Sequence, residues 1–308
     1  MTTSSAPGKI ILFGEHAVVY GHPALAVPVT QVQATATVRA STGPGTWVEA
    51  PDIGLRSELS VLPAHHPLVT ALNGVFTTLG ISSHSPFTIN ISSTIPVASG
   101  LGSGAAVSVA MIRALSAFLG QSLSDEEVSA LAYDVEKLHH GTPSGIDNTV
   151  IAYSQPVFFI KGQPIATFHV GAPFTLVIGD TGVSAPTKES VGDVRKLWEA
   201  EKTRTEKIFR EIGKIAIQAR ERIVNGEWDK LGALMDANHA LLQALTVSSA
   251  DLDRLVDAAR RSGALGAKMS GGGRGGNMIA LVEKENAPAV AEALKSAGAK
   301  RTIVTQVG

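Results

Sequence analysis

Residues Pro96 to Ala106, PVASGLGSGAA, place glycines at 100, 102 and 104 directly ahead of an apolar helix pattern, AAVSVAMIRALSAFLG. Glycine leaves backbone N–H groups uncovered, and a helix N-terminus carries partial positive charge, so this junction suits an anion such as a nucleotide phosphate. A purely structural turn is the alternative. No Gly-Lys-Ser or Gly-Lys-Thr closes the loop, so it is not a Walker A sequence. A second cluster, SGGGRGGN from Ser270 to Asn277, has five glycines in six positions. Glycine in regular structure costs about 0.5–1 kcal/mol relative to alanine, so such density suits a backbone that something must approach closely. Its alternative is a wide hairpin loop.

Five titratable positions accompany these loops. Asp147 lies in GTPSGIDN, where a carboxylate either caps the turn or takes a proton from a hydroxyl. Glu136 falls on the flank of an apolar helical stripe. It is either a solvated residue or an oxygen ligand for a hard divalent cation, together with a serine hydroxyl and phosphate oxygens. Lys9 follows Pro7-Gly8; on the surface it would be silent, while beside a carboxylate it would stabilise negative charge during phosphoryl transfer. Glu15 and His16 interrupt two apolar runs, KIILF and AVVYG, and a histidine there is more often structural than a ligand. His16, His139 and His140 lack zinc-site spacing, and His65-His66 takes no assignment. There is no Gly-x-Ser-x-Gly elbow for a serine hydrolase. GLGSG imitates a dinucleotide fingerprint, but it lies mid-chain and no strand ending in an acidic residue follows about 20 residues on.

The elements that must carry these residues follow from pattern. The chain has 308 residues, 44% hydrophobic and 17% charged, which supports one large or two ordinary domains with packed cores. A net charge of −1 gives no bulk attraction to nucleic acid or acidic membrane. The absence of cysteine excludes disulfides, thiolate catalysis and Cys-ligated zinc. With no signal-like N-terminus and no charge-free apolar run of about 18 residues, a soluble cytoplasmic protein without membrane or nucleic-acid partners is expected.

The first part of the chain reads as strands, including the runs on both sides of Glu15-His16. QVQATATVRAS, from Gln31, and FTINISS, Phe87 to Ser93, alternate as half-buried strands do. Ser124 and Glu127 form a capping box for a helix whose stripe is Val128, Leu131, Ala132, Val135 and Leu138, ended by Gly141 and Pro143. A boundary is expected near Phe168 to Pro173, ahead of the strand FTLVIGD. One long helix is expected over 194–224, stopped by Asn225-Gly226, then helices over 228–245 and 250–262. The C-terminal stretch reads strand, glycine loop, strand, helix, strand.

Three ordered segments together resemble the GHMP kinases: APGKIILFGEHAVVYG (6–21), PVASGLGSGAA (96–106) and KMSGGGRGGNMIAL (268–281). HHGTPSGIDN (139–148) is most similar to the mevalonate kinase branch. The resemblance spans almost the whole chain. It implies an α+β fold of two domains meeting at a cleft: an N-terminal α/β ATP-binding domain over 1–170 with a left-handed βαβ crossover, and a ferredoxin-like C-terminal domain with extra helices over 171–308. It also implies ATP-dependent phosphorylation of the C5 hydroxyl of mevalonate with Mg²⁺, and leaves a homodimer as one assembly. Carried over by position, Asp147 would be the general base, and Lys9 would neutralise charge and keep Asp147 ionised. Pro96, Ser99, Gly100, Leu101, Gly102, Ser103, Gly104, Ala105 and Ala106 would hold ATP. Glu136 and Ser103 would bind the metal, and Glu15, His16, Thr187, Gly272 and Gly273 the substrate. Three positions depart from the family's habit: Gly104 where a second serine is common, Arg274 inside the third glycine run, and Ser184-Ala185-Pro186 where a basic residue is usual. Other readings stay open: a related kinase for phosphomevalonate, the C3 hydroxyl of mevalonate, homoserine or a sugar, or a nucleotide-binding protein without turnover.

Overall fold

The computed structural model describes residues 1–96, 99–140, 143–164, 166–184 and 187–308, the side chains at 139 and 140 excepted. Outside the described residues therefore lie Val97 and Ala98 of the first glycine loop, the expected helix stop Gly141, the side chains of His139 and His140, and Ala185-Pro186. The chain forms two compact units, Met1–Gly8 with Val32–Val97 and Gly102–Ser154, and Lys9–Gln31 with Ala98–Leu101 and Gln155–Gly308.

In the first unit, strands β1 (Thr2–Phe13) and β2 (Ala24–Ala40) contribute their outer parts, joined by β3 (Trp47–Ala50), β4 (Leu55–Glu58) and β5 (Phe87–Ser93). β5 lies antiparallel to β2, with Ala36 opposite Ile91, and parallel to β3, which pairs in turn with β4. The alternation of β2 and β5 buries Ala34, Ala36, Val38, Phe87, Ile89 and Ile91, as period-two strands should. The helices are α1 (Pro67–Leu79), α2 (Ser103–Phe118), α3 (Asp125–His140) and α4 (Ile146–Tyr153). α2 is buried nearly all round, which explains its apolar sequence. Its single charge, Arg113, is satisfied by Asp125 at the start of α3 and by the Ala152 carbonyl near the end of α4.

The capping box forms as expected: the Ser124 backbone donates to Glu127 Oε2 at 2.8 Å and the Glu127 backbone to Ser124 Oγ at 3.3 Å. The stripe is shorter than expected, because Leu138 is exposed. It lies in the last turn of α3, beyond the packed part of the stripe.

In the second unit, the start of β2 pairs with β6 (Val157–Phe159), which pairs with β7 (Ala166–Thr167). A four-stranded antiparallel sheet has the order β11-β8-β10-β9, from β8 (Phe174–Asp180), β9 (Gly266–Ser270), β10 (Asn277–Val282) and β11 (Arg301–Val307). Numbered within that sheet the order is 4-1-3-2, with helices between the first and second and between the third and fourth strands. This is the ferredoxin-like arrangement expected of the C-terminal half.

Its helices are α5 (Thr187–Ala200), α6 (Lys202–Val224), α7 (Leu231–Ala244), α8 (Ala250–Arg261) and α9 (Ala287–Ser296). The single helix expected over 194–224 is thus two, parted at Glu201, whose φ of −129° leaves the helical region. No glycine or proline marks that break. Packing decides it: α5 buries only Ser190 and Val194, whereas α6 buries a long stripe including Ile208, Phe209 and Ile212. AVVY, expected as a strand after the Glu15-His16 break, is instead a 3₁₀ turn over Ala17–Tyr20.

Candidate active site

In the first unit the glycine loop delivers the chain into α2. Gly102 takes φ +74°, a conformation that costs glycine little, and its carbonyl accepts the Ala106 N–H at 2.9 Å to begin the helix. Ser103 and Gly104 therefore sit in the first turn of α2, at its positive end, with Ala105 and Ala106 buried behind them. Glu136, late in α3, is 5% exposed, while its neighbour Lys137 faces solvent and pairs with Asp134 at 2.7 Å. A Cβ at position 104 would lie 3.6 Å from Glu136 Oε1, so the structure brings that carboxylate to the start of α2.

Asp147 is the second residue of α4, half-buried, after Gly145 at φ +88°. Its position is set by its neighbours. Asn148 Nδ2 donates to the carbonyl and hydroxyl of Ser129 on α3, at 3.1 and 2.9 Å, and Thr149 Oγ1 donates to the Gly145 carbonyl at 2.6 Å. Among the described residues no group of three His, Cys, Asp or Glu side chains could hold a metal. A cation beside Glu136 would rely on that carboxylate, the Ser103 hydroxyl, ligand oxygens and water. Mg²⁺ accepts this donor set, because it binds through few carboxylates and retains waters.

In the second unit, Lys9 is buried in β1 and its N–H donates to the Leu101 carbonyl at 3.0 Å. Asn277, at the start of β10, donates from Nδ2 to the Ser99 carbonyl. Both anchors hold carbonyls of the stretch Ser99–Leu101, in which Gly100 adopts φ +79°.

The Glu15-His16 turn is built tightly. A Cβ on the preceding Gly14 would meet Ala24 Cα at 2.4 Å, so only glycine fits there. Glu15 is 1% exposed and forms an ion pair with Lys268 of β9; its Oε2 has no hydrogen-bond partner among the described residues. His16 takes φ +60°, uncommon for a residue with a side chain. Burial pushes its pKa down to about 4; the Gly272 carbonyl opposes this and Arg274 adds to it. His16 is therefore neutral near pH 7. Because Nε2 lies 3.0 Å from the Gly272 carbonyl oxygen, which only accepts, Nε2 carries the proton. Nδ1 is then a bare acceptor, buried without a partner among the described residues.

The third glycine motif closes around this turn. A Cβ on Gly272 would come within 3.1 Å of both Thr187 Oγ1 and Ser190 Oγ, which places the expected substrate residues Thr187, Gly272 and His16 together. Gly273, at φ +80°, would drive a Cβ to 1.9 Å from the Val247 carbonyl oxygen. Arg274 sits at φ +61°, donates its N–H to the same carbonyl at 2.8 Å, and pairs through its guanidinium with Asp193 of α5. Two residues of the site, Lys268 and Asn277, lie inside the third motif but are given no role by the sequence. A lysine in the middle of the fully buried strand GAKMS, with apolar residues on both sides, is the signal that could have found the first.

Comparison with known proteins places these features in a family context. The model of the GHMP kinases N terminal domain matches residues 68–155, and that of the GHMP kinases C terminal matches 219–300. The chain is 39% identical to the mevalonate kinase of Thermococcus sibiricus, over 99% of this chain and 95% of that protein. It is 38% identical to that of Pyrococcus furiosus, over 96% and 93%. The crystal structure of L. major mevalonate kinase in complex with R-mevalonate superposes with a TM-score of 0.86 at 30% identity, covering 100% of this chain and 96% of that one. The Methanococcus jannaschii mevalonate kinase gives 0.85 at 29% identity, covering 99% and 96%.

Proposed function

The chain belongs to the GHMP kinases, in their mevalonate kinase family, and from that premise we propose that it transfers the γ-phosphoryl group of ATP to the C5 hydroxyl of mevalonate, yielding 5-phosphomevalonate and ADP. The observation that carries the reading is the approach of the Glu136 carboxylate to the first turn of α2, directly after the glycine loop. A phosphate-binding helix start beside one buried carboxylate is what a metal–nucleotide complex requires.

Phosphoryl transfer needs alignment and charge neutralisation more than covalent chemistry. In the first unit, the N–H groups of Gly102 to Ala105 receive phosphate oxygens, in the loop that Pro96 and Ala106 bound. Glu136 and the Ser103 hydroxyl hold Mg²⁺, which when bound neutralises charge on the β- and γ-phosphates. A carboxylate oxygen of Asp147 takes the proton of the attacking hydroxyl. In the second unit, Ser99, Gly100 and Leu101 complete the phosphate loop, and Lys9 neutralises charge developing at the reacting oxygens. Glu15, His16, Thr187, Gly272 and Gly273 bind mevalonate. Residues 1–170 then form the ATP-binding half and 171–308 the other half. A cytoplasmic location and a homodimeric assembly belong to the same reading; among the described residues no helix is long and apolar enough to cross a membrane.

A coupled ADP-release assay with mevalonate, phosphomevalonate, homoserine and galactose, with and without Mg²⁺, tests the proposal. Turnover with mevalonate that requires the cation is expected. ATP binding without ADP release on any acceptor would leave a nucleotide-binding protein without catalysis.

A further inference from the structure

Lys268 is the most deeply buried charge outside the residues assigned above. Its side chain, on β9 opposite Ile279 of β10, is 0% exposed. The ammonium donates to Glu15 Oε1 and, at 2.7 Å, to the Met269 carbonyl, and it lies 5.8 Å from the centre of the Phe13 ring. Two of its three protons are thus committed, and the ring face lies near the third. Burial pushes its pKa down, and Glu15 opposes that shift.

The strand beneath it is held from α7 and α8. The Met269 N–H donates to His239 Nδ1 at 3.3 Å, so the proton of neutral His239 sits on Nε2, which lies 3.2 Å from Asp253 Oδ1. Ser248 Oγ donates to the same Asp253 oxygen at 2.5 Å. The backbone that carries Lys268 is therefore fixed by a chain of buried and half-buried polar groups.

An ion pair with both side chains fully buried is weak evidence for stability, because desolvation offsets much of the attraction. Its geometry here does something more specific. Lys268 occupies one oxygen of Glu15 and fixes the rotation of the carboxylate. The other oxygen, Oε2, is left buried without a partner among the described residues, next in sequence to His16, whose bare Nδ1 is in the same state. Both leftover atoms are acceptors. They call for hydroxyl donors, not for a carboxylate or a phosphate.

We infer that Lys268 is a positioning residue for substrate-hydroxyl recognition: by engaging Glu15 Oε1 it leaves Glu15 Oε2, on the residue before His16, to accept from a hydroxyl of the acceptor substrate. This rests on the proposed assignment of Glu15 and His16 to mevalonate.

The test compares wild type, Lys268→Met and the doubly neutral Glu15→Gln/Lys268→Met, by mevalonate titration calorimetry and by steady-state kinetics. Losing a charged hydrogen-bond partner should raise the Kd and KM for mevalonate roughly 10–100-fold, with kcat changed far less and the KM for ATP within about twofold. Lys268→Met strands a buried carboxylate and should lower the melting temperature; the double variant should recover most of that stability but not the affinity. A purely structural lysine gives the opposite result, a Lys268→Met protein that is less stable but keeps wild-type mevalonate affinity below its melting temperature, and that overturns the inference. So does an ATP KM that rises in step with the mevalonate KM. If Lys268→Met does not fold, wild-type protein titrated with an analogue lacking the C3 hydroxyl and with one lacking the C5 hydroxyl decides. Unaltered affinity for both overturns the hydroxyl contact; a loss of about tenfold for either supports it. Wild-type protein that binds no mevalonate refutes the substrate assignment instead, and the same variants are then read with whichever alcohol of the panel supports ADP release.

Discussion

Acidification should destabilise the second unit through His16, by an amount the structure sets. Burial holds its folded pKa at about 4, against 6.5 for an exposed imidazole. Between those values the unfolded chain binds a proton that the folded one does not, so stability is fully present above pH 6.5 and is lost as pH falls towards 4. A gap of about 2.5 units corresponds to a limit of about 3.4 kcal/mol, of which about 2 is lost between pH 7 and 5 and about 3 by pH 4. His16→Asn removes the titration and tolerates the φ of +60°. His22 and His239, also lowered by burial, remain in both proteins, so their contributions cancel in the difference.

The assay is urea unfolding followed by tryptophan fluorescence in a Trp47→Phe background, which leaves Trp198 and Trp228, both in the second unit, as reporters. The stability of the protein that keeps His16, relative to the His16→Asn variant, should fall by about 2 kcal/mol from pH 7 to pH 5. A difference that stays constant within about 0.5 kcal/mol over that range would show that His16 titrates normally. The neutral tautomer donating to Gly272, and the bare Nδ1 acceptor, would then be wrong.

Other expectations follow from the same geometry. Asp147→Asn should lower kcat by orders of magnitude with the ATP Kd nearly unchanged, read by single-turnover kinetics and nucleotide titration. Lys9→Met should lose turnover, whereas a lysine without a role would leave it intact. Gly273→Ala, which meets the Val247 carbonyl at 1.9 Å, should abolish stable folding of the second unit. Gly271→Ala, at φ +86° with nothing within 4 Å, should cost only about 1–2 kcal/mol, and thermal unfolding separates the two. Gly104→Ala meets Glu136 Oε1 at an ordinary 3.6 Å and should raise stability by about 0.5–1 kcal/mol through helix propensity, with the magnesium requirement retained.

Much of this could be read from the chain because local chemistry announces it. Glycines at 100 and 102 are needed for positive φ ahead of α2, the Ser124–Glu127 box starts α3, and the alternating FTINISS coincides with β5. α1 goes unpredicted although Pro67 at its first position and Gly80 beyond its end form a recognisable pair of signals. What stays hidden depends on partners distant in sequence. The Glu15–Lys268 pair joins residues 253 positions apart, and nothing near Glu15 foretells it. The break at Glu201 has no local breaker and follows from the two faces that α5 and α6 bury. AVVY has strand-forming residues, yet the reversal at Gly14 and His16, both at positive φ, curls it into a 3₁₀ turn.

The most direct test is the product itself. The protein should be incubated with ATP, Mg²⁺ and R-mevalonate and the product examined by proton–phosphorus correlation. A new phosphomonoester coupled to the C5 methylene protons, absent with Asp147→Asn, is the expected result. A phosphate on the tertiary C3 oxygen, with no carbinol proton to couple to, or no new phosphomonoester at all, would contradict it.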